Sequence, residues 1–396
     1  MGIKGEAVAI GKLERFVGDW ALENECKGDV NVAPNGKKVG IVGGGPAGLN
    51  AAYQLAIKGY AVTVMDMMPE MGGMLRYGIP EYRLPKAVLA AEVAAIAALG
   101  VEMKNNVKVG KDVTLESLRA EYDAVLVAVG AWKSTGVGCE GDKLEGVLGG
   151  IDLLREVNLG GRPNLGKNVA VVGGGNVAVD VARTAIRYGA DKVTMLCLES
   201  REEMPAADDE VLEAEEESIV VECGWGPKEI VAKNGKVTSV IFKKCTSVFD
   251  ANHRFAPKYD ENDTMTLDAD FVLAAIGQSI QWGGLLDGTK VETNRNGTAK
   301  ADSWTYQTAE PDIFVGGDVY TGPNFAIRAI AAGKEGAESV HRYVWEGHSL
   351  TLGRVRRDNY HYIDKDNMVV SSYDRGIRQV PGKDPEKVKS FSDERL

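Results

Sequence analysis

The 396-residue sequence has few cysteines and no excess of basic residues, and these shortages argue against several classes of protein. Its five cysteines are scattered without a Cys-x-x-Cys pair, which favours reduced thiols in a cytoplasmic protein over a disulfide framework. A formal net charge of −11 argues against a nucleic-acid partner, because phosphate binding needs a basic surface. No apolar stretch approaches the roughly 20 residues that cross a bilayer. Metal-ligand spacing is absent too, so we expect neither a membrane span nor a metal site.

Glycine, by contrast, is abundant at 48 residues, and part of it follows short apolar strands. A β-branched strand, a glycine turn, a helical stretch and a second strand make one βαβ unit, and the same order occurs twice. Each copy is followed later by a buried strand that ends in Ala-x-Gly, so the chain carries a duplicated plan. The copies comprise Lys38–Val42, Ala47–Lys58, Ala61–Met65 and Ala124–Gly130, then Asn168–Val172, Val177–Tyr188, Lys192–Leu196 and Phe271–Gly277.

The first glycine turn has the residues of a dinucleotide-binding fingerprint. Gly43 permits the tight turn, Gly45 lets the backbone reach a pyrophosphate, and Gly48 lets the helix pack on the strand. Unpaired N–H groups and the positive end of the helix dipole then face the phosphates. Asp66 ends the next strand, where its carboxylate accepts a hydrogen bond from an adenosine ribose. The predicted site therefore comprises Gly43, Gly44, Gly45, Pro46, Ala47 and Asp66.

A later segment connects this turn with a flavin rather than with NAD. The apolar strand Ile313–Val315 is followed by Gly316, Gly317 and Asp318, which places a carboxylate where a ribityl hydroxyl can bind. The next helix directs its N-terminus at the isoalloxazine, where partial positive charge stabilises the reduced ring. The sequence therefore predicts FAD as a cofactor.

The second glycine turn, Gly173–Ala178, repeats this geometry for a nicotinamide dinucleotide. The following strand leads to Glu199, whose carboxylate accepts from a free ribose 2′-hydroxyl and repels a phosphate. We therefore expect NADH to be preferred over NADPH. The alternative is that Glu199 faces solvent and Arg201 binds the 2′-phosphate. The predicted site comprises Gly173, Gly174, Gly175, Asn176, Val177, Glu199 and Arg201, closed by Ile276 and Gly277.

These motifs and one further stretch carry a family resemblance. Residues 71–80 are Met-Gly-Gly-Met-Leu-Arg-Tyr-Gly-Ile-Pro, and residues 82–86 are Tyr-Arg-Leu-Pro-Lys. Over about residues 5–345 the chain resembles the small subunit of glutamate synthase, the NADPH-binding half of dihydropyrimidine dehydrogenase and the large subunit of NADH-dependent ferredoxin–NADP reductase. The resemblance implies hydride transfer from NAD(P)H to N5 of FAD, after which single electrons pass to iron–sulfur clusters.

The resemblance also implies individual contacts. NADPH-using relatives have two arginines at the positions of Leu198 and Glu199, and their absence here supports NADH. Disulfide-reducing relatives have a redox cysteine pair, which Met71–Pro80 lacks, so disulfide reduction of the thioredoxin or glutathione type is excluded. For Arg83 the alternative to a flavin contact is a surface salt bridge. The predicted FAD contacts outside the first turn are Gly73, Met74, Arg83, Val109, Gly130, Gly317, Asp318, Asn324, Phe325 and Ala326.

The chain departs from this family at its start. Family members usually begin with an iron–sulfur domain, of which only Ala7–Trp20 corresponds here. Cys26 alone cannot hold a cluster that needs four thiolate ligands. We interpret the chain either as a fragment of a longer protein or as a subunit whose clusters lie in a partner. The amphipathic segment Ile10–Glu23 is then a docking helix or a helix packed on the FAD domain.

The predicted fold is α/β, with two Rossmann-like domains in the arrangement of the disulfide-reductase-like flavoproteins, and with the nicotinamide domain inserted into a discontinuous FAD domain. Two chain crossings favour a hinge between them. Stacked cofactor rings need no general acid, and the four histidines lie outside every motif, so no catalytic residue is nominated. Two other functions stay open, an NAD(P)H oxidase or diaphorase and a non-catalytic nucleotide-binding subunit. The predicted divisions are 1–35 (helix and linker), 36–135 and 278–345 (FAD domain), 136–277 (nicotinamide domain) and 346–396 (polar tail).

Overall fold

The structure is a computed structural model, and it describes residues 7–24, 31–345, 347–354, 367 and 377–391. The predicted N-terminal helix is confirmed as α1 (Ile10–Glu23), and none of its residues is buried. Its large apolar side chains Leu13, Phe16 and Trp20 are exposed by 57%, 67% and 52%. The two roles expected of this helix, docking and packing on the FAD domain, stay predictions. Cys26 lies outside them.

The first βαβ unit builds a five-stranded parallel sheet together with a strand that follows residue 278. β-Branched and other apolar residues form most of its strands, and all of Ala124–Val127 is buried, because helices and loops cover both faces. We keep the predicted name FAD domain as a label for this unit. Its elements are β1 (Lys38–Val42), α2 (Pro46–Ala56), β2 (Ala61–Met65), α3 (Met74–Tyr77), α4 (Lys86–Ala97), β3 (Glu102–Lys104), α5 (Leu115–Glu121), β4 (Ala124–Val127), β15 (Ile313–Val315), α9 (Asp318–Thr321) and α10 (Ala326–Val344).

The second unit builds another five-stranded parallel sheet. Its helices bury small and branched side chains such as Ala178, Val179 and Ala182 against the strands. We likewise keep the predicted name nicotinamide domain as a label for this unit. Its elements are β6 (Val147–Gly149), α6 (Gly150–Asn158), β7 (Asn168–Val172), α7 (Asn176–Arg187), β8 (Lys192–Cys197), α8 (Asp208–Glu216), β9 (Val220–Cys223), β10 (Trp225–Lys233), β11 (Lys236–Phe249), β12 (Phe255–Asp268) and β13 (Phe271–Ala274).

The two parallel sheets share one topology. The strand order is β15-β4-β1-β2-β3 in the first sheet and β6-β13-β7-β8-β9 in the second. In each sheet the strand before the glycine turn is central, and the later strand ending in Ala-x-Gly pairs beside it. The predicted α/β fold with two Rossmann-like units is confirmed.

The chain passes between the two sheets twice, and the two crossings run side by side. They form a short antiparallel pair, β5 (Lys133–Ser134) and β14 (Gln278–Ser279). The backbone N–H of Thr135 also donates to the carbonyl of Gly277, with an N–O distance of 3.1 Å. The predicted division of the chain places its boundaries beside this pair, and we keep that division as the working description.

A three-stranded antiparallel sheet, β10-β11-β12, extends the nicotinamide domain and was not predicted. Strands β10 and β11 are joined by Asn234 and Gly235, both with positive φ (54° and 80°), as a type I′ hairpin turn requires. Ile230 and Phe242 from this sheet are buried against Val172 and Leu196 of the parallel sheet. The extension thus covers one face of the nucleotide-binding unit.

The acidic run Asp208–Glu217 has the composition of a solvated helix face, but its last residue is buried. The side chain of Glu217 is 1% exposed and accepts hydrogen bonds from Arg183 and Arg187 on α7. The described part of the tail also packs on this domain, since Lys383 pairs with Glu216 at 2.7 Å. In the parts of the chain that the structure covers, no helix is long and apolar enough to cross a membrane.

Candidate functional site

A single cavity of about 1560 Å³ lies between the two domains, and both glycine turns open into it. Most of the residues predicted to bind a cofactor line this cavity, although they come from distant parts of the sequence. Those that line it are Gly45, Pro46, Ala47, Asp66, Gly73, Met74, Arg83, Gly130, Gly173, Gly174, Gly175, Asn176, Val177, Glu199, Ile276, Gly277, Gly317, Asp318, Asn324, Phe325 and Ala326.

The first glycine turn has the backbone geometry that its sequence implies. Gly43 has φ +110°, and a methyl group on it would collide with the carbonyl of Ala128. A methyl group on Gly48 would in turn collide with the carbonyl of Gly43, so α2 packs too closely for any side chain there. A methyl group on Gly45 would have one heavy atom within 4 Å, the Cα of Gly73 at 3.8 Å. Gly43 and Gly48 are therefore needed for packing, whereas Gly45 leaves an open approach to the backbone.

Asp66 closes the far side of this turn. Its carboxylate accepts from the backbone N–H of Gly44 at 2.6 Å and of Met68 at 2.8 Å. Burial raises the pKa of Asp66, while these two hydrogen bonds oppose that rise. The carboxylate is thus held in place at the end of β2, facing the cavity. Gly44 itself lies behind the lining.

The segment after β15 places Asp318 at the same cavity. Gly317 has φ +69°, and Asp318 begins the short helix α9. Burial raises the pKa of Asp318 to about 6, and a backbone hydrogen bond from Asn324 opposes the rise. Helix α10 then begins at Ala326 without a side-chain cap, so its first N–H groups are free to meet a ligand. A half-buried carboxylate and an uncapped helix end fit the polar chain and the ring of a flavin.

The second glycine turn repeats the first with one difference. Gly173 has φ +144°, and a methyl group on it would collide with the carbonyl of Ala275. Ala178 occupies the position that Gly48 has at the first turn. Its methyl group lies 3.4 Å from where a methyl group on Gly173 would be. A methyl group on Gly175 would meet no heavy atom within 4 Å. Helix α7 starts beside this turn without a side-chain cap, as α2 does at the first turn.

The two residues expected to read the nucleotide ribose are placed differently. Glu199 lines the cavity, with a carboxylate oxygen 3.1 Å from the position of a methyl group on Gly174. Arg201 does not line it and pairs instead with Asp208 at 3.6 Å and Glu215 at 3.8 Å. The carboxylate, rather than the guanidinium, therefore faces the site.

Four residues predicted to bind a cofactor do not line the cavity, and a fifth has other partners. Gly43 and Gly44 shape the turn from behind, and Val109 is buried in the core of the FAD domain. Arg201 is the fourth. Arg83 is at the cavity wall, but its guanidinium donates to Asp180 at 2.7 and 2.8 Å and to Glu210.

Part of the cavity wall was missed from the sequence. Trp132 follows β4 and donates from its indole N–H to the carbonyl of Val129 at 2.9 Å. Trp225 and Tyr259, on the antiparallel sheet, carry Lys244 and Lys243 over their ring faces at 4.6 and 4.3 Å. The Asn234–Gly235 hairpin signal would have located this sheet.

Among the described residues, no group of three or more His, Cys, Asp and Glu side chains is arranged to hold a metal ion.

Comparison with known proteins agrees with this geometry. The pyridine nucleotide-disulphide oxidoreductase family matches residues 37–333. In structure, the chain superimposes on FprA from Mycobacterium tuberculosis with a TM-score of 0.68 at 18% identity, covering 78% of this chain and 84% of that one. Thioredoxin reductase from Lactococcus lactis gives 0.60 at 19% identity, covering 78% and 99%. At these identities the structural likeness concerns the fold alone.

Three sequence relatives are closer. The beta subunit of the NADP(+)-dependent formate dehydrogenase of Moorella thermoacetica is 41% identical over 87% of this chain, which spans only 49% of that protein. The small chain of the NADPH glutamate synthase of Azospirillum brasilense is 36% identical, over 85% of this chain and 73% of that one. A subunit of the NAD-dependent dihydropyrimidine dehydrogenase of Escherichia coli O157:H7 is 36% identical, over 85% and 76%. The chain therefore belongs to the pyridine nucleotide-disulphide oxidoreductase family, in the group of NAD(P)H-dependent oxidoreductases that includes the glutamate synthase small chains.

Proposed function

We propose that the chain binds FAD at the first glycine turn and NADH at the second, and that it catalyses hydride transfer from NADH to N5 of FAD. The observation that carries this proposal is the single cavity shared by the two turns. FAD, when bound, accepts a hydride and can release its two electrons one at a time. The protein supplies position and electrostatics, and no proton-transfer side chain is required.

Each part of the FAD site has a task in this proposal. The uncapped N-terminus of α2 offers N–H groups and partial positive charge to the pyrophosphate. Asp66 accepts from the adenosine ribose, and Asp318 accepts from the ribityl chain. The N-terminus of α10 lies where it can stabilise negative charge on the reduced ring. Gly73 and Met74 complete the wall between the domains.

The proposed preference for NADH rests on the carboxylate of Glu199. A carboxylate facing the ribose accepts from a 2′-hydroxyl and repels a 2′-phosphate. The pairing of Arg201 with Asp208 and Glu215 supports this, because that guanidinium is already engaged. The test is kcat/KM for both nucleotides, with the Leu198→Arg/Glu199→Arg variant as comparison. We expect the variant to shift the ratio toward NADPH by at least about tenfold, or 1.4 kcal/mol. Higher kcat/KM for NADPH in the wild type would contradict the preference.

We also propose that electrons leave through iron–sulfur clusters in a partner subunit or in domains beyond this sequence. The exposed apolar side of α1, including Leu13, Phe16 and Trp20, supports a docking role for that helix. Coverage of 49% of the formate dehydrogenase subunit leaves room for such domains. The proposal places the protein in the cytoplasm, in keeping with the free thiols of Cys139, Cys197, Cys223 and Cys245.

Anaerobic mixing of the FAD-loaded protein with NADH tests the central step. Bleaching of the flavin absorbance within the time of a stopped-flow experiment is expected. A protein that binds FAD and NADH without bleaching would be the non-catalytic subunit instead. Rapid oxygen consumption with NADH alone would favour the oxidase. If the purified chain is colourless and takes up no flavin, the proposal fails altogether.

A further inference from the structure

A loop of the FAD domain inserts two side chains into the nicotinamide domain. Tyr82 is 3% exposed, and its ring lies against the guanidinium groups of Arg187 and Arg183, at 3.8 and 4.8 Å from the ring centroid. Both arginines are on α7, behind the second glycine turn. The described C-terminal segment supports this packing from outside, because Arg187 donates to the carbonyl of Ser390 at 2.7 Å. We call Tyr82 and Arg83 the interdomain anchor.

Arg83 connects the same loop to two helices of the nicotinamide domain. Its guanidinium donates to both carboxylate oxygens of Asp180 on α7 and to Glu210 on α8. The side chains of Asp180 and Glu210 are only 8% and 16% exposed. Burial alone would lower the pKa of Arg83, but the two carboxylates raise it above its ordinary value, so the cation is retained. Burial raises the pKa of Asp180, whereas the positive charge of Arg83 lowers it. Each of the two charges therefore depends on the other.

The anchor is joined to both glycine turns through short paths. On the nicotinamide side, α7 carries Asp180 one turn beyond Asn176, the residue that follows the glycine turn. On the FAD side, Lys86 donates from its ammonium group to the carbonyls of Leu75 and Ile79, at 3.2 and 2.6 Å, which ties the loop to the stretch beginning at Gly73. Gly73 in turn lies against Gly45, the pyrophosphate-facing glycine of the first turn.

We infer that Tyr82 and Arg83 are positioning residues, which fix the separation and orientation of the two glycine turns so that hydride transfer proceeds without a domain rotation. The inference rests on the proposed FAD and NADH sites. It replaces the hinge expected from the two chain crossings with a preassembled cavity. It also gives Arg83 a role through the nicotinamide domain rather than a contact with FAD.

The test uses the full chain loaded with FAD, with Arg83→Gln and Asp180→Asn as variants. We expect the limiting rate of anaerobic flavin bleaching by NADH to fall about 100-fold, because displacement of reacting groups by about 1 Å costs that much. The FAD content per chain should stay that of the wild type. Hydrogen–deuterium exchange of residues 80–86 should become faster in both variants, which reports loosening of the anchor independently of activity.

Arg119→Gln is the matched control. Arg119 also donates to two carboxylates, Asp312 at 2.7 and 2.8 Å and Glu310 at 2.8 Å, and its side chain is 27% exposed, against 22% for Arg83. All three of these residues belong to the FAD domain. The Arg119→Gln substitution therefore removes hydrogen bonds of the same kind without changing the domain interface. The bleaching rate of Arg119→Gln should remain that of the wild type even where its melting temperature falls.

Two results would overturn the inference. One is that both Arg83→Gln and Asp180→Asn bleach the flavin at the rate of the wild type. The other is loss of FAD from Arg83→Gln in step with its rate while Asp180→Asn behaves as the wild type, which would make Arg83 a flavin contact. If Arg83→Gln fails to fold, the isosteric Asp180→Asn decides alone, because it keeps the pair between Arg83 and Glu210. If NADH does not bleach the flavin of the wild-type protein, the proposed function fails instead. Unchanged hydrogen–deuterium exchange of residues 80–86 in the two variants would then still overturn the anchor.

Discussion

Replacement of Gly175 by alanine should weaken nicotinamide binding without harming the fold. Gly175 precedes α7 with φ −95° and ψ 173°, an extended conformation that any residue adopts. A methyl group on it meets no heavy atom within 4 Å. Alanine is a poorer N-cap than glycine, but it also lowers the conformational entropy of the unfolded chain, which stabilises the fold by about 0.4–1 kcal/mol. These effects oppose each other, so the free energy of unfolding should change by no more than about 1 kcal/mol.

The cost in binding comes from the space that glycine leaves open. In the proposed complex the pyrophosphate approaches this backbone and accepts from the first N–H groups of α7. A methyl group there forces the phosphate outward, and losing one hydrogen bond to a charged group costs about 1.5–3 kcal/mol. At 1.4 kcal/mol per factor of ten, the Kd for NADH should rise roughly 10- to 150-fold.

Gly45→Ala provides the reciprocal experiment. Gly45 has φ −79° and ψ −176°, and a methyl group on it lies 3.8 Å from the nearest atom, the Cα of Gly73. This variant should lose FAD affinity and keep NADH affinity, whereas Gly175→Ala should do the opposite. FAD content is measured from the absorbance of flavin released by heat, and NADH affinity from titration of the anaerobic reduction rate. Unchanged NADH affinity in Gly175→Ala, or equal loss of both ligands in either variant, would refute the assignment of the turns.

Three further predictions concern other parts of the chain. FAD affinity, measured by fluorescence titration, should fall by up to about tenfold per pH unit below pH 6. The pKa of Asp318 is about 6 in the free protein and drops when the carboxylate accepts from the flavin, so FAD binding below pH 6 releases a proton. In Asp318→Asn this pH dependence should vanish. Glu217→Ala removes the buried carboxylate that pairs with both Arg183 and Arg187, while Arg183 keeps its pair with Glu213 at 2.8 Å. Urea denaturation should therefore show a loss of at most about 3–5 kcal/mol, and an unchanged midpoint would contradict the buried pairing. Gly48→Ala should abolish soluble expression or FAD binding, since its methyl group meets the carbonyl of Gly43; a stable yellow variant would show that α2 can move.

Much of the fold could be predicted because its signals are local. Each glycine turn lies between a β-branched strand and a helix, so the residues that form one turn are neighbours in sequence. The strands Ala124–Val127 and Phe271–Ala274 could be recognised by their continuous apolar runs, as expected of strands buried on both faces. The helix Ile10–Glu23 was predicted from its apolar periodicity, with the bounds that the structure has.

The rest depends on contacts between residues far apart in sequence. Glu217 belongs to an acidic run that resembles a solvated surface, and only the arrival of Arg183 and Arg187 makes its burial favourable. The carboxylates that engage Arg83 lie 97 and 127 residues away. No local pattern distinguishes such an arginine from one that contacts a flavin. The antiparallel sheet is different, because the dipeptide Asn234–Gly235 is a hairpin signal in the sequence itself.

The two duplicated units also differ at the outer strand of each sheet, and this bears on how they would distinguish their ligands. FAD and NADH share an adenosine diphosphate portion, which the two similar glycine turns cannot tell apart. In the FAD domain β15 leads to Asp318 and to the uncapped end of α10, whereas β6 in the nicotinamide domain leads directly into α6. The proposed discrimination therefore lies at the far ends of the ligands. A half-buried carboxylate suits a ribityl chain. At the equivalent strand of the nicotinamide domain, α6 also begins without a side-chain cap, but the acidic residue of its first turn, Asp152, is 45% exposed.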